Sequence, residues 1–181
     1  MSTAFKEWAL VCDALGRGSQ SIIIRKGGIA EGRDGFRFKH DAFFLFPTFF
    51  HEQPARTKLP PGTALREEVP GEIRIDLFAR VEWTQTVTDP AVLARLDPFH
   101  IWHPEVIGER FHYDAPPGVH LAVLRVERLS TPWIFPALPR YGGCRSWLEL
   151  PEFPQGITRA PVLDDAAHAA RVAAIREALA G

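Results

Sequence analysis

Cysteine is nearly absent from this 181-residue chain, which has only Cys12 and Cys144. Two cysteines make no disulfide framework, so a buried core must hold the fold, and reduced thiols in the cytosol are expected. Long apolar runs are missing too. No stretch of about 18 apolar residues occurs, which excludes an ordinary membrane-spanning helix. The first residues, MSTAFKEWALVCDALGRG, are broken by Lys6, Glu7 and Asp13 and do not read as a secretory leader. Neither sign of charge dominates: the net charge is -1 at pH 7, an average that identifies no partner. Internal repeats, low-complexity runs, a P-loop, a zinc-ligand spacing and a complete catalytic set are all lacking, so no single motif announces a function.

What is present is apolar and aromatic. Hydrophobic residues make up 46%, with thirteen Phe and five Trp, which is enough to build a large core. Residues 1–181 are expected to form a single domain, with a candidate subdomain boundary in the proline-rich stretch 53–71. Phe5, Trp8, Cys12 and Leu15 fall on one face of a helix predicted over residues 3–15, ended by Gly16. Three consecutive isoleucines predict a strand over 21–26, buried on both faces. Phe36 and Phe38 alternate with Arg37 and Lys39, which suggests a hairpin over 36–46, stopped by Pro47. From Glu72 to Trp83, Ile73, Ile75, Leu77, Ala79, Val81 and Trp83 alternate with mainly charged residues, the pattern of a half-buried strand. Asp89 is placed to cap a short helix beginning at Pro90. Another strand spans 119–126. Residues 130–161, rich in Pro and Gly, are expected to wrap the surface. A C-terminal helix is predicted over 162–180, with His168, Val172, Ile175 and Leu179 as its apolar stripe. Helix, β-rich middle, helix favours an α+β fold: a mostly antiparallel sheet flanked by an N-terminal and a C-terminal helix.

Residues 21–52 concentrate the chemistry. Arg25, Lys26, Gly27 and Gly28 end a strand with two cations and two residues whose backbone lets an anion approach. Residues 17–39 hold six cations against two carboxylates, enough to attract phosphate. The plainer reading is a turn with charges on a wet edge. His40, His51, Glu52 and Glu31 can bind a divalent metal or share a proton, although histidines beside Phe-rich strands more often sit at a core edge. His100 and His103, in HIWHPE, lie in a segment where Pro98 and Pro104 disfavour a long helix. Cys144, between Gly143 and Arg145, is nucleophilic only if His120 or His112 lies beside it. Phe36, Phe38, Phe43, Phe44, Phe46, Phe49 and Phe50 interleave with cations and form either core or a base-stacking platform.

Several of these segments are familiar. RKGGIAE (25–31), the region of His40 to Phe44, LFPT (45–48), His51 with Glu52, VLRVERL (123–129) and YGGCRSWLEL (141–150) together resemble the bacterial domain-of-unknown-function family numbered 1802. The similarity runs from Glu7 to about Leu150 and leaves the Ala-rich last helix outside. The resemblance implies no transferable activity. It carries an association with restriction–modification systems, and so an expectation of nucleic-acid chemistry.

The expectation is a bacterial cytoplasmic protein that binds nucleic acid or another phosphate-bearing ligand, linked to DNA restriction or defence. Its ligand-binding set is Arg25, Lys26, Gly27, Gly28, Glu31, His40, Thr48 and His51. One alternative is a metal-dependent hydrolase or nuclease built on Glu31, His40, His51 and Glu52. The other is a protein-interaction module without catalysis. No cofactor is assigned.

Overall fold

The computed structural model describes residues 1–26, 36–50, 53–60, 63 and 66–181. The chain opens on a strand rather than a helix. Strand β1 (Ser2–Trp8) leads directly into helix α1 (Ala9–Gly16). The helical spacing of Phe5, Trp8, Cys12 and Leu15 is therefore split between two elements. The reason is burial on both sides: Ala4 and Phe5 are each fully buried, but in different hydrophobic clusters. A strand covered on both faces loses its period-2 signal, and the apolar residues of the helix behind it complete a false helical stripe. Helix α1 ends at Gly16, as expected, and Gly18 (φ 71°) turns the chain away.

Strand β2 (Ile22–Arg25) carries the three isoleucines, all buried. Strand β3 (Ala42–Thr48) runs through Pro47 instead of stopping before it. It pairs antiparallel with β4 (Glu72–Val87) only as far as Phe44, and parallel with β1 from Ala4↔Phe44 to Trp8↔Thr48. Beyond Phe44 the side facing β4 is an open edge, where a missing N–H leaves no ladder bond unmade. Phe36 and Phe38 lie outside any strand but are still drawn into the core around Phe5.

Strand β4 pairs along most of its length with β5 (Val119–Pro136). The pairing shifts register between Ile75 and Leu77 and again between Val81 and Trp83. The first shift corrects the expected alternation. Leu77, Ala79, Val81 and Trp83 face one cluster, whereas Ile73 and Ile75 join Phe78 in the other. An extra residue in a ladder reverses the faces on either side of it. Strand β5 also outruns its expected end at Val126: Trp133 and Phe135 are strand residues opposite Ile75 and Ile73, not part of a surface wrap.

Asp89 accepts a hydrogen bond from the Ala91 N–H at 2.8 Å and caps helix α2 (Pro90–Arg95). Helix α3 (Pro104–His112) follows. Strand β6 (Trp147–Leu150) pairs with β1, and β7 (Arg159–Pro161) with β5. The last helix, α4 (Asp165–Ala180), is capped by Asp164 and buries His168 and Ile175. The sheet order is β2-β5-β4-β3-β1-β6, mixed but mostly antiparallel, with helices near both ends of the chain, so the α+β expectation holds. The larger cluster combines Phe5, the isoleucines of β2 and Trp102 with apolar residues of all four helices. The smaller is mostly aromatic: Phe44, Phe46, Phe78, Trp133, Phe135 and Tyr141.

Candidate functional site

Because β1 and β3 run parallel, both C-terminal ends open on the same place. Lys6 and Trp8 emerge there beside Thr48 and Phe50, and the Thr48 hydroxyl donates to the Glu7 carbonyl at 3.1 Å. Arg25 and Lys26 arrive from the end of β2, Arg110 and Tyr113 from α3, and residues 142–146 form a wall just before β6. Together they enclose a cleft of about 1040 Å³. Its described lining contains eight Lys and Arg side chains against four glutamates. Lys26, Arg56, Arg66 and Arg74 meet Asp114, Glu109 and Asp76, and Arg25 faces Glu7, which leaves Lys6, Arg110 and Arg145 without an ion pair among the described residues.

The floor is an ordered charge cluster. Glu7 is buried, and its Oε1 accepts the Trp8 N–H at 2.8 Å. Its Oε2 lies 3.7 Å from Arg25 Nε, an ion pair too long to be a hydrogen bond. Arg25 also donates to the Lys6 carbonyl and packs its guanidinium 4.9 Å from the Phe5 ring. Arg110 lies 3.9 Å from the Trp102 ring and donates to the Ile24 carbonyl at 3.0 Å. Burial pulls its pKa down to about 10, partly opposed by nearby Glu7, so it stays charged at neutral pH. Lys6 donates to the Gly143 carbonyl at 2.8 Å; burial, then the neighbouring Arg145, lowers its pKa from the ordinary lysine value. Arg145 is exposed and makes no hydrogen bond or ion pair with a described residue.

Of the expected set, Arg25, Lys26 and Thr48 line this cleft. The Lys26 ammonium is already engaged, 2.8 Å from both an Asp114 carboxylate oxygen and the Pro116 carbonyl. His40 is elsewhere. It is exposed, lies 4.8 Å from the Trp147 ring, and lines a second cavity. Gly27, Gly28, Glu31 and His51 lie outside the described residues, as does Glu52. Among the described residues, no three His, Cys, Asp or Glu gather where they could hold a metal ion. His100 is buried ahead of α3 and His103 stands at its N-cap, so the two share no helix. Cys144 lines the cleft exposed. His112 contacts the Phe111 ring and His120 faces Thr86. Cys12 is core, and burial, with Glu7 nearby, holds its thiol well above the ordinary value.

Sequence reasoning missed Lys6, Trp8, Arg110, Tyr113 and Arg145. Trp8 reads in the sequence as part of an apolar helical face, and Arg110, Tyr113 and Arg145 come from segments far from Lys6 in the chain. The Gly-Gly turn before Cys144 was the one local signal for the wall.

Comparison with protein families matches residues 4–174 to a domain of unknown function, DUF1802. The chain belongs to that family. The match runs well into α4, beyond the Leu150 limit drawn from the sequence. No curated protein matches significantly. Among solved structures, the chain is similar to the ASCH protein of Zymomonas mobilis. A serine-to-alanine variant of it is 11% identical, covers 83% of this chain and 88% of its own, and has a TM-score of 0.49. For a tyrosine-to-phenylalanine variant the values are 13%, 83%, 90% and 0.47.

Proposed function

We propose that the cleft binds a phosphate-bearing ligand, and that the ligand is nucleic acid. The observation that carries this reading is the trio of lining cations, Lys6, Arg110 and Arg145, that no described carboxylate pairs, set among aromatic and aliphatic surface. Cations that neutralise phosphates and rings that receive bases are what a nucleic-acid strand needs. Phe50 and Tyr113, 59% and 62% exposed, are such rings at the cleft. Arg25 is the floor cation, Thr48 a hydroxyl lining the same cleft, and Arg145 the cation with no partner among the described residues. Lys26, held by Asp114, contributes its field rather than a direct contact. Two free cysteines and no described helix long and apolar enough to cross a membrane accord with the proposed setting, the bacterial cytoplasm.

Fluorescence anisotropy with a labelled 12-nucleotide single strand tests this across a salt series. Affinity should fall linearly on a log–log plot against salt, and Arg145→Ala should lower the slope by about 1. Arg25→Ala with Lys26→Ala should weaken binding further. No salt-dependent retention of any nucleic acid would end the reading. A protein partner is the second reading, favoured by exposed Val69, Ile134 and Leu138 at the same cleft. Its signature is a complex indifferent to salt.

A further inference from the structure

The main cleft does not use all of the cationic and aromatic surface on this side of the molecule. A second cavity of about 630 Å³ is lined by His40, Arg140, Trp147 and Glu149 among others, and Arg145 belongs to both cavities. The wall between them is residues 142–146. Arg140, just before this wall, and Trp147, just after it, line the second cavity, while the wall itself lines the first. A second link crosses the boundary. Arg140 donates to the Tyr141 hydroxyl at 3.0 Å and lies 5.1 Å from its ring, and Tyr141 lines the main cleft. The wall is also pinned from below. Lys6 donates its backbone N–H to the Ser146 carbonyl and its ammonium to the Gly143 carbonyl, both at 2.8 Å. Gly143 (φ 78°) has the left-handed conformation that this bend requires.

Resting on the nucleic-acid reading of the main cleft, we propose that the ligand is a single strand. It leaves that cleft over the saddle at 142–146, passes Arg145, and continues into the cavity of His40, Arg140 and Trp147. Both cavities carry more positive than negative side chains, and they meet at an arginine with no described partner. A polymer with regularly spaced phosphates fills both, whereas a lone phosphate compound fills one. One cavity is at the upper end of the range of about 300–1,000 Å³ that encloses a drug-sized ligand. The pair suits a site of about 4–16 nucleotides. The strand must be unpaired because rings such as Phe50, Tyr113 and His40 need exposed base faces, which a duplex hides.

The test is anisotropy with oligothymidylate and oligouridylate of graded length, from about 2 to about 12 nucleotides. Affinity should rise with length in two stages. Arg140→Ala combined with His40→Ala should remove the second stage, costing about tenfold on the longest probe with a salt slope lower by about 1, and under twofold on the shortest. Arg140→Glu should do the same by repulsion, and a melting curve checks that each variant is folded. Equal affinity for short and long probes, or no effect of these variants on the long one, overturns the track but spares the main cleft. Equal competition by polyglutamate also overturns it, because the surface then reads charge without bases. Absence of binding at every length and low salt removes the reading of the main cleft, and this inference with it.

Discussion

Two charged regions of this protein handle their cations differently. On the outer face of the β4–β5 ribbon, each cation meets a carboxylate. Arg80 and Arg159 share Glu127 at 3.3 and 3.6 Å, Arg125 meets Asp165 at 2.5 Å, and His168 meets Glu82 at 3.1 Å. In the cleft, Lys6 and Arg110 are satisfied by carbonyl oxygens and aromatic rings, and Arg145 by no described group. Carbonyl dipoles satisfy the donors of a cation without cancelling its charge. The outer charges therefore cancel locally; in the cleft Lys26, Arg56, Arg66 and Arg74 also meet carboxylates, and the positive field rests on Lys6, Arg110 and Arg145 in a chain of net charge -1. Glu7 is the buried counter-charge that keeps the floor of the cleft foldable.

The sharpest way to break this contrast is Glu7→Gln. The amide keeps an acceptor for the Trp8 N–H but leaves Arg25 and Arg110 without their shared anion. Thermal or urea unfolding should show a loss of about 3 kcal/mol, the scale for removing one partner of a buried pair. A loss below about 0.5 kcal/mol would show that Glu7 is not the floor's counter-charge.

Acid attacks from a different position. Burial, with Lys58 next in importance, lowers the pKa of His100 to about 4. Its unfolded value is near 6.5, so below that pH the unfolded chain binds the extra proton and the folded chain resists it. The stability this group contributes is complete above about pH 6.5 and falls progressively as pH drops toward 4. The total loss is of order 3 kcal/mol. His100→Asn should flatten that part of a stability-against-pH curve. If the wild-type and variant curves keep the same slope between pH 6.5 and 4, His100 is not the group responsible.

The smallest effect belongs to the outer face. Asp165→Asn breaks the Arg125 pair, but Asp165 is almost fully exposed and solvent screens it. The change in stability should stay within about 0.5 kcal/mol. A larger loss would mean that the outer pairs, not only the buried one, hold the fold.

Much of the fold could be read locally. The isoleucines of β2, the Asp89 cap and the Asp164-capped last helix each depend on neighbours a few residues away. The readings that failed depended on distant chain. β1 imitated a helix because two strands and both clusters cover it, and Pro47 was tolerated because β4 had already diverged. The shift at Asp76 put Ile75 and Leu77 in different clusters despite perfect alternation. The site divides the same way. Arg25 and Lys26 were legible because they directly follow an unmistakable strand, and Thr48 because it ends the LFPT run. Lys6, Arg110 and Arg145 were not, since more than a hundred residues separate the first two.

Composition and short-range pattern were enough to determine that this chain has an α+β fold and a cationic segment near its start. Only the tertiary structure decided which cations keep their charge uncancelled, and that His40 belongs to a second cavity beyond Arg145. Local pattern records what one stretch of backbone prefers. The electrostatic state of a side chain depends on whether a carboxylate, a carbonyl or nothing faces it, and those partners arrive from chain far away in sequence.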